Sequence, residues 1–147
     1  MIAKDQVNIF LITDESAYKD ESNRMFMVPL ASKPIITSSD IVAYDSEQHQ
    51  IELKSRAYEK LKTLDVPVNV GLTFVVCVGI VRVYMGAFWS PVSSSSSDGV
   101  IIQWPLFEGN NRISVQLGYP TESYFRGSDP RSNARLIQAF KNSGKLK

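Results

Sequence analysis

Cysteine and histidine are almost absent from this sequence of 147 residues, which contains one of each, Cys77 and His49. A single cysteine excludes an internal disulfide framework and a metal site built from several thiolates. A zinc site would need carboxylates for nearly all its ligands, which is unusual for zinc. We therefore predict no metal and no cofactor. Cys77 lies inside the apolar run FVVCV, and we predict that it is a packed core residue.

Long apolar runs and an excess of one charge are also missing. No run approaches the ~20 apolar residues that a membrane-spanning helix needs, so no transmembrane segment is predicted. The charges nearly cancel, with 16 lysines and arginines against 15 aspartates and glutamates. A basic surface stripe is therefore not expected, and we predict no nucleic-acid partner. The length predicts a single domain, 1–147, which is large enough to form a core without disulfides.

What the sequence does have is a strong strand pattern over residues 73–89, TFVVCVGIVRVYMGAFW. Two runs of β-branched and aromatic residues are broken at Gly79, which predicts a hairpin at the centre of a sheet. In its second strand, simple alternation places Val81 with Val83 on one face and Arg82 with Tyr84 on the other. Further strands are expected at 7–13, 24–28, 48–53, 99–104 and 112–117, the last two joined through the turn at 108–111.

Helix signals are fewer. Thr37 and Asp40 have the spacing of a capping box, which predicts a short helical turn running through Tyr44. Ser55 is expected to cap a helix over 56–64.

The last helix is predicted from a start and a stop signal. Asp129 is expected as its N-cap, with Pro130 at the first helical position. Leu136, Ile137 and Phe140 would form its buried face, and Gly144 would end it. About seven strands with two helices, separated by antiparallel hairpins, define an α+β fold in one domain.

The block 36–102 resembles, at a low level, the periplasmic first domain of the bacterial translocase subunit SecD. The shared order is Thr37 to Ile41, the strand IEL at 51–53, the helix over 57–64, the hairpin FVVCV…VYMG and the strand at 100–102. The pattern IEL…FVV…SDG…LGYP…DPR also resembles a group of uncharacterised small bacterial envelope proteins or lipoproteins, over nearly the whole chain. The hairpin turn departs from the SecD pattern, since VGI at 78–80 replaces the usual Asp-Gly. The resemblance implies a fold and an extracytoplasmic setting, and no catalytic residues.

The most unusual composition is the serine tract, Ser93–Ser97, which is followed by Asp98 and Gly99. One interpretation is a flexible, hydroxyl-rich loop between two strands. The other is a binding loop, because clustered backbone donors and hydroxyls can hold an anion. Trp89 and Trp104 flank the tract, each close to a proline, and aromatics beside hydroxyls and a carboxylate suit a sugar or peptide ligand.

A second cluster follows the last predicted hairpin. It contains aromatic and charged residues: Tyr119, Tyr124, Phe125, Arg126, Asp129 and Arg131. It is either a loop anchored by aromatics, with an arginine paired to a carboxylate, or a site whose arginines grip a carboxylate or phosphate. The candidate ligand-binding residues from both clusters are Trp89, Ser94, Ser95, Ser96, Asp98, Trp104, Arg126 and Arg131.

No motif for a catalytic nucleophile is present, and the expected function is a non-enzymatic binding or accessory module of the cell envelope. One alternative is a small hydrolase that uses the Ser93–Asp98 loop, with His49 or Asp98; we expect His49 itself to be a surface or turn residue. Another is an assembly domain that pairs through a strand edge. The expected partner is another envelope protein, a peptide or a sugar. The expected location is extracytoplasmic, with an export signal upstream of Met1, and the alternative is the cytoplasm.

Overall fold

Two β-sheets carry the fold in the computed structural model of this chain, which describes residues 3–106 and 110–147. The described residues form eight strands: β1 (Val7–Leu11), β2 (Ile41–Asp45), β3 (Gln50–Leu53), β4 (Leu72–Val78), β5 (Val81–Trp89), β6 (Ser97–Gln103), β7 (Arg112–Ser114) and β8 (Gln116–Tyr119). The helices are α1 (Arg24–Met27), α2 (Ser55–Leu61) and α3 (Ala134–Asn142), with short 3-10 turns at Ser38–Asp40 and Glu122–Tyr124. The α+β class predicted from the sequence is confirmed.

The larger sheet has the strand order β1-β4-β5-β6-β8. The β4–β5 hairpin turns at Gly79, whose φ of +57° favours glycine, and it occupies the middle of the sheet as predicted. All neighbours are antiparallel except β5 and β6, which run parallel. The smaller sheet is antiparallel, with the order β2-β3-β7.

The serine tract connects the two parallel strands β5 and β6. A parallel pair usually needs a crossover of a dozen or more residues, and residues 90–96 make this connection in a shorter segment. That segment therefore runs back along the sheet before β6 can start beside β5.

The main core contains residues from both sheets and from α2 and α3, among them Ile51, Phe74, Phe88 and Phe140. A smaller core lies on the opposite face of the larger sheet, where Val75 and Cys77 contact Phe10, Ile12 and Val28. Cys77 is only 3% exposed, so the predicted burial of this thiol is confirmed.

Two outer strand edges are occupied by the chain itself. The N–H of Ile9 in β1 donates to the carbonyl of Ile36 (2.8 Å), and the N–H of Ala31 donates to the carbonyl of Leu11 (2.8 Å). On β2, the N–H of Tyr44 donates to the carbonyl of Lys145 (2.8 Å).

The strand predicted at 24–28 is wrong, because Arg24–Met27 forms the short helix α1. The Arg82 guanidinium donates to the carbonyls of Met25 (3.0 Å) and Val28 (2.6 Å). These hydrogen bonds satisfy backbone carbonyl groups in and just after the helix. Because the donor is on a distant strand, the sequence around α1 does not indicate them.

The capping box at Thr37 and Asp40 is present, but the helical turn ends at Asp40 and does not continue through Tyr44. Residues Ile41–Asp45 pair with β3 as a strand instead. The predicted strand at 48–53 and the helix over 56–64 both exist, as β3 and as α2, although α2 ends at Leu61 and Ser55 is its first residue rather than its cap.

The prediction that Arg82 and Tyr84 share one face of β5 is wrong, because the register shifts between Val76 and Cys77 of β4. Tyr84 pairs with Val76, and Arg82 pairs with Cys77. Neighbouring residues of β4 point to opposite faces, so Arg82 and Tyr84 also lie on opposite faces.

The hairpin predicted from 99–104 and 112–117 is only partly correct. Gln116–Tyr119 pairs with β6 as expected, whereas Arg112–Ser114 joins β3 in the smaller sheet. Part of the predicted turn at 108–111 lies outside the described residues.

The predicted N-cap of the last helix is also wrong. Asn133 caps α3, and its Oδ1 accepts hydrogen bonds from the backbone N–H groups of Arg135 (2.9 Å) and Leu136 (3.2 Å). Asp129 does accept from the N–H of Arg131, but this hydrogen bond belongs to a turn at 131–132 that ends before the helix begins at Ala134. The predicted stop is confirmed, since Gly144 follows the helix with a φ of +72°.

Candidate functional site

A cavity of about 740 Å³ lies where the first residues of β6 meet the segment that follows β8. It brings together residues from the serine tract and from the aromatic and charged cluster, which are distant in the sequence. Its lining consists of Trp89, Ser96, Ser97, Asp98, Ser123, Tyr124, Phe125 and Arg126. We call this cavity the serine–arginine cavity.

Pairing between β6 and β8 places the two sides of the cavity. Ser97 is opposite Tyr119, and the chain then turns back through the 3-10 turn Glu122–Tyr124. Gly118 makes this return possible, because it has a φ of +72° and a Cβ there would lie 2.7 Å from the carbonyl oxygen of Thr121. The N–H of Arg126 donates to the carbonyl of Asp98 (2.9 Å), which holds the two segments together.

The cavity presents two opposite charges that do not neutralise each other. Asp98 and Arg126 are both exposed, and their backbones are hydrogen-bonded neighbours. Within residues 3–106 and 110–147, however, neither side chain takes part in an ion pair or a hydrogen bond. An anionic and a cationic group are therefore both available to a ligand.

Aromatic side chains supply the apolar part of the lining. Tyr124 is 47% exposed, whereas Trp89 is only 7% exposed and lies deeper. The Trp89 ring is tilted against Tyr119, with centroids 6.1 Å apart. The indole Nε1 of Trp89 is buried and has no hydrogen-bond partner among the described residues.

Hydrogen bonds fix the middle of the serine tract. Asn69 Oδ1 accepts from the N–H and the hydroxyl of Ser94 (both 3.0 Å) and from the Ser93 hydroxyl (3.3 Å). The N–H of Ser95 donates to the Ser93 hydroxyl (3.1 Å), and the Tyr119 hydroxyl donates to the Ser93 carbonyl (3.0 Å). Of the three candidate serines, only Ser96 lines the cavity; Ser94 and Ser95 lie outside its lining.

Trp104 lies in the main core, not beside the serine tract. It is 2% exposed, its Nε1–H donates to the carbonyl of Leu61 (2.9 Å), and its ring packs edge-on against Tyr58. The prediction that Trp104 flanks the serine tract as a binding residue is therefore wrong.

Arg131 is also outside the cavity. Its guanidinium pairs with Asp129 (2.9 Å) and donates to the carbonyl of Val115 (3.0 Å). The hydrogen bond from Arg131 lowers the pKa of Asp129 below its usual value. Of the two candidate arginines, only Arg126 is free of such contacts within the described chain.

His49 lies half-buried in a different part of the molecule. Its Nδ1 is 3.4 Å from the Tyr44 hydroxyl, which donates to the carbonyl of Arg131 (2.8 Å). Burial, followed by the charge of Arg131, lowers the pKa of His49. The described contacts of this imidazole involve Tyr44, and none reaches the serine tract.

Four lining residues, Ser97, Ser123, Tyr124 and Phe125, are missing from the candidate ligand-binding residues predicted from the sequence. Tyr124 and Phe125 belong to the aromatic and charged cluster that the sequence already indicates. Ser97 belongs to the serine tract, and its place next to Asp98 is a usable signal. Ser123 has no local signal, because only the pairing of β6 with β8 brings it to the cavity.

Comparison with known proteins adds no relative: no family model, no curated protein and no solved structure matches this chain. Among the described residues, no helix is both long and apolar enough to span a membrane. The fold and the site thus define a single-chain α+β protein with a polar, aromatic-lined cavity at one end of its larger sheet.

Proposed function

We propose that this protein is a non-enzymatic binding module of the cell envelope, and that the serine–arginine cavity holds its ligand. One observation carries the proposal: the fold joins two sequence-distant clusters around one cavity and leaves Asp98 and Arg126 unpaired there. The volume of about 740 Å³ is within the range of small-molecule sites, roughly 300–1,000 Å³.

Exposed aromatic and hydroxyl groups support a small polar ligand. Tyr124 offers a ring face for stacking, and Ser96, Ser97 and Ser123 offer hydroxyls that can donate or accept. Aromatic anchors contribute much of the affinity at such sites, so Tyr124 is the residue whose loss should matter most.

Isothermal titration calorimetry tests this function with two probes, the dipeptide alanyl-phenylalanine and the disaccharide maltose. We expect at least one probe to bind, and Tyr124→Ala to remove that binding while the fold is kept. Phe26→Ala is the matched control, because Phe26 is 67% exposed on α1 and does not line the cavity. If neither probe binds at about 10 mM, where the binding free energy would be only about −3 kcal/mol, and free phenylalanine does not bind either, the proposal is contradicted.

The envelope setting rests on the resemblance to small envelope proteins and to the SecD domain. Fractionation of cells that express the natural gene with a C-terminal tag tests it. Recovery with the membrane or periplasmic fraction would support the setting, and recovery with the cytoplasmic fraction would contradict it.

The two alternatives have less support. The hydrolase alternative would have to use Asp98 as its base, because His49 contacts Tyr44 and not the serine tract, and no motif for a catalytic nucleophile accompanies it. The strand-edge alternative is limited to the edges at β7 and β8, because the outer edges of β1 and β2 carry hydrogen bonds from the chain itself.

A further inference from the structure

We propose that the ligand of the serine–arginine cavity is zwitterionic, an α-amino acid or short peptide whose carboxylate binds Arg126 and whose ammonium group binds Asp98. This inference rests on the function proposed above and names the ligand class for the same site.

The charges of the cavity argue against ligands of one sign. Asp98 would repel a phosphate or another anion, and Arg126 would repel a cation, because the two residues are direct backbone neighbours (2.9 Å from N to O). A neutral sugar would cover both charges without compensating either one. A ligand that carries both charges compensates each of them.

The chemistry of each group matches one end of an amino acid or peptide. A guanidinium presents a planar fork of N–H donors that binds a carboxylate through two parallel hydrogen bonds. A carboxylate accepts from an ammonium group, which has three donors. Neither group of the protein has to break an ion pair first, since none engages them in the described part of the chain.

The rest of the lining suits the remainder of such a ligand. Ser96, Ser97 and Ser123 can pair with a peptide group, and Tyr124 and Phe125 can contact an apolar side chain. An aromatic residue next to the free carboxylate would therefore favour binding, and alanyl-phenylalanine has that property.

Calorimetry with end-capped ligands tests the assignment of the two charges. N-acetylation and C-amidation of alanyl-phenylalanine should each weaken binding to the unmodified protein by about tenfold or more, the loss of one charge-assisted hydrogen-bonded pair. In Asp98→Asn, N-acetylation should cause no further loss, and in Arg126→Gln, C-amidation should cause no further loss. Free phenylalanine, measured in parallel, distinguishes an amino acid from a peptide as the preferred form.

Matched controls are available elsewhere on the surface of the chain. Asp65→Asn and Arg135→Gln change the net charge identically at exposed positions outside the cavity, and they should leave every affinity unchanged. Circular dichroism of each variant reports whether the fold is kept.

The outcomes separate this inference from the proposed function. Capped and free dipeptides that bind equally well would overturn the zwitterionic ligand, and so would maltose binding without binding of the dipeptide or phenylalanine. If Tyr124→Ala still abolished the binding that is seen, the cavity would remain the site. Failure of the free dipeptide, phenylalanine and maltose alike would overturn both proposals.

Discussion

Trp89 shows how one residue can belong to both the core and the candidate site. Its ring lines the serine–arginine cavity, yet the residue is only 7% exposed. The ring packs so closely on Gly71 that a Cβ at that glycine would lie 2.6 Å from Trp89 Cε3. Gly71 also has a φ of +70°, so both space and backbone conformation require glycine there.

Trp89→Ala should therefore destabilise the protein by about 3–5 kcal/mol, as removal of a large buried aromatic side chain does. Trp89→Phe keeps most of the ring volume and should cost less. Urea denaturation of both variants measures the free energies of unfolding. An alanine variant as stable as the unmodified protein would show that Trp89 is a surface residue.

Cys77 should resist thiol reagents in the native protein. It is 3% exposed, and burial raises the pKa of its thiol, so the reactive thiolate is disfavoured. The measurement is labelling with Ellman's reagent, first in buffer and then in guanidinium chloride. Slow native labelling and full labelling after denaturation are expected, and rapid native labelling would place Cys77 outside the core.

At the level of elements, the sequence predicts local structure well where one short segment contains all the information. The β4–β5 hairpin carries its own turn at Gly79, and the capping box at Thr37 is complete within four residues. In contrast, α1 depends on Arg82, which donates to the carbonyls of Met25 and Val28 from a distant strand.

The candidate site shows the same contrast between what the local sequence indicates and what depends on long-range contacts. Asp98 and Arg126 are candidates because they lie in segments of unusual composition. Their proximity in the fold, however, depends on the pairing of β6 with β8. The sequence around Trp104 and Arg131 is equally suggestive, but long-range hydrogen bonds to the carbonyls of Leu61 and Val115 hold these two side chains elsewhere. Residue type alone cannot distinguish these two outcomes.

The start of α3 provides a test at this scale. Asn133→Ala should destabilise the protein by about 0.5–2 kcal/mol, because the side chain satisfies two N–H groups of the first turn. Asp129→Ala is the comparison, since Asp129 pairs with the partly exposed Arg131 and does not cap the helix. Thermal unfolding should show a larger loss of stability for Asn133→Ala than for Asp129→Ala. A larger loss for Asp129→Ala would indicate that Asp129 is the N-cap after all.

At the scale of the whole molecule, a half-buried polar cluster ties the segment before α3 to the smaller sheet. Tyr44 in β2 donates to the carbonyl of Arg131 and contacts His49, and burial raises the pKa of the Tyr44 hydroxyl to about 12. The same cluster contains the only histidine of the chain, so it should add a pH dependence to stability near neutral pH.

The pKa of His49 is lowered from 6.5 by burial and by Arg131, so protonation favours the unfolded chain. Stability should be highest above pH 6.5 and should fall as the pH drops below that value toward the lowered pKa of the folded state. His49→Asn tolerates the local φ of 56° and has no group that titrates there. Urea denaturation between about pH 7.5 and about pH 5.0 should show a smaller loss of stability for His49→Asn, and equal slopes would contradict the burial of His49.

The central claim is that the fold builds one ligand site from residues 96–98 and 123–126. Chemical-shift mapping tests it most directly, with ¹⁵N-labelled protein titrated with alanyl-phenylalanine. We predict that the amide signals of these two segments shift together and saturate, while those around His49 stay in place. Saturable shifts confined to any other surface, with residues 96–98 and 123–126 unaffected, would contradict the account.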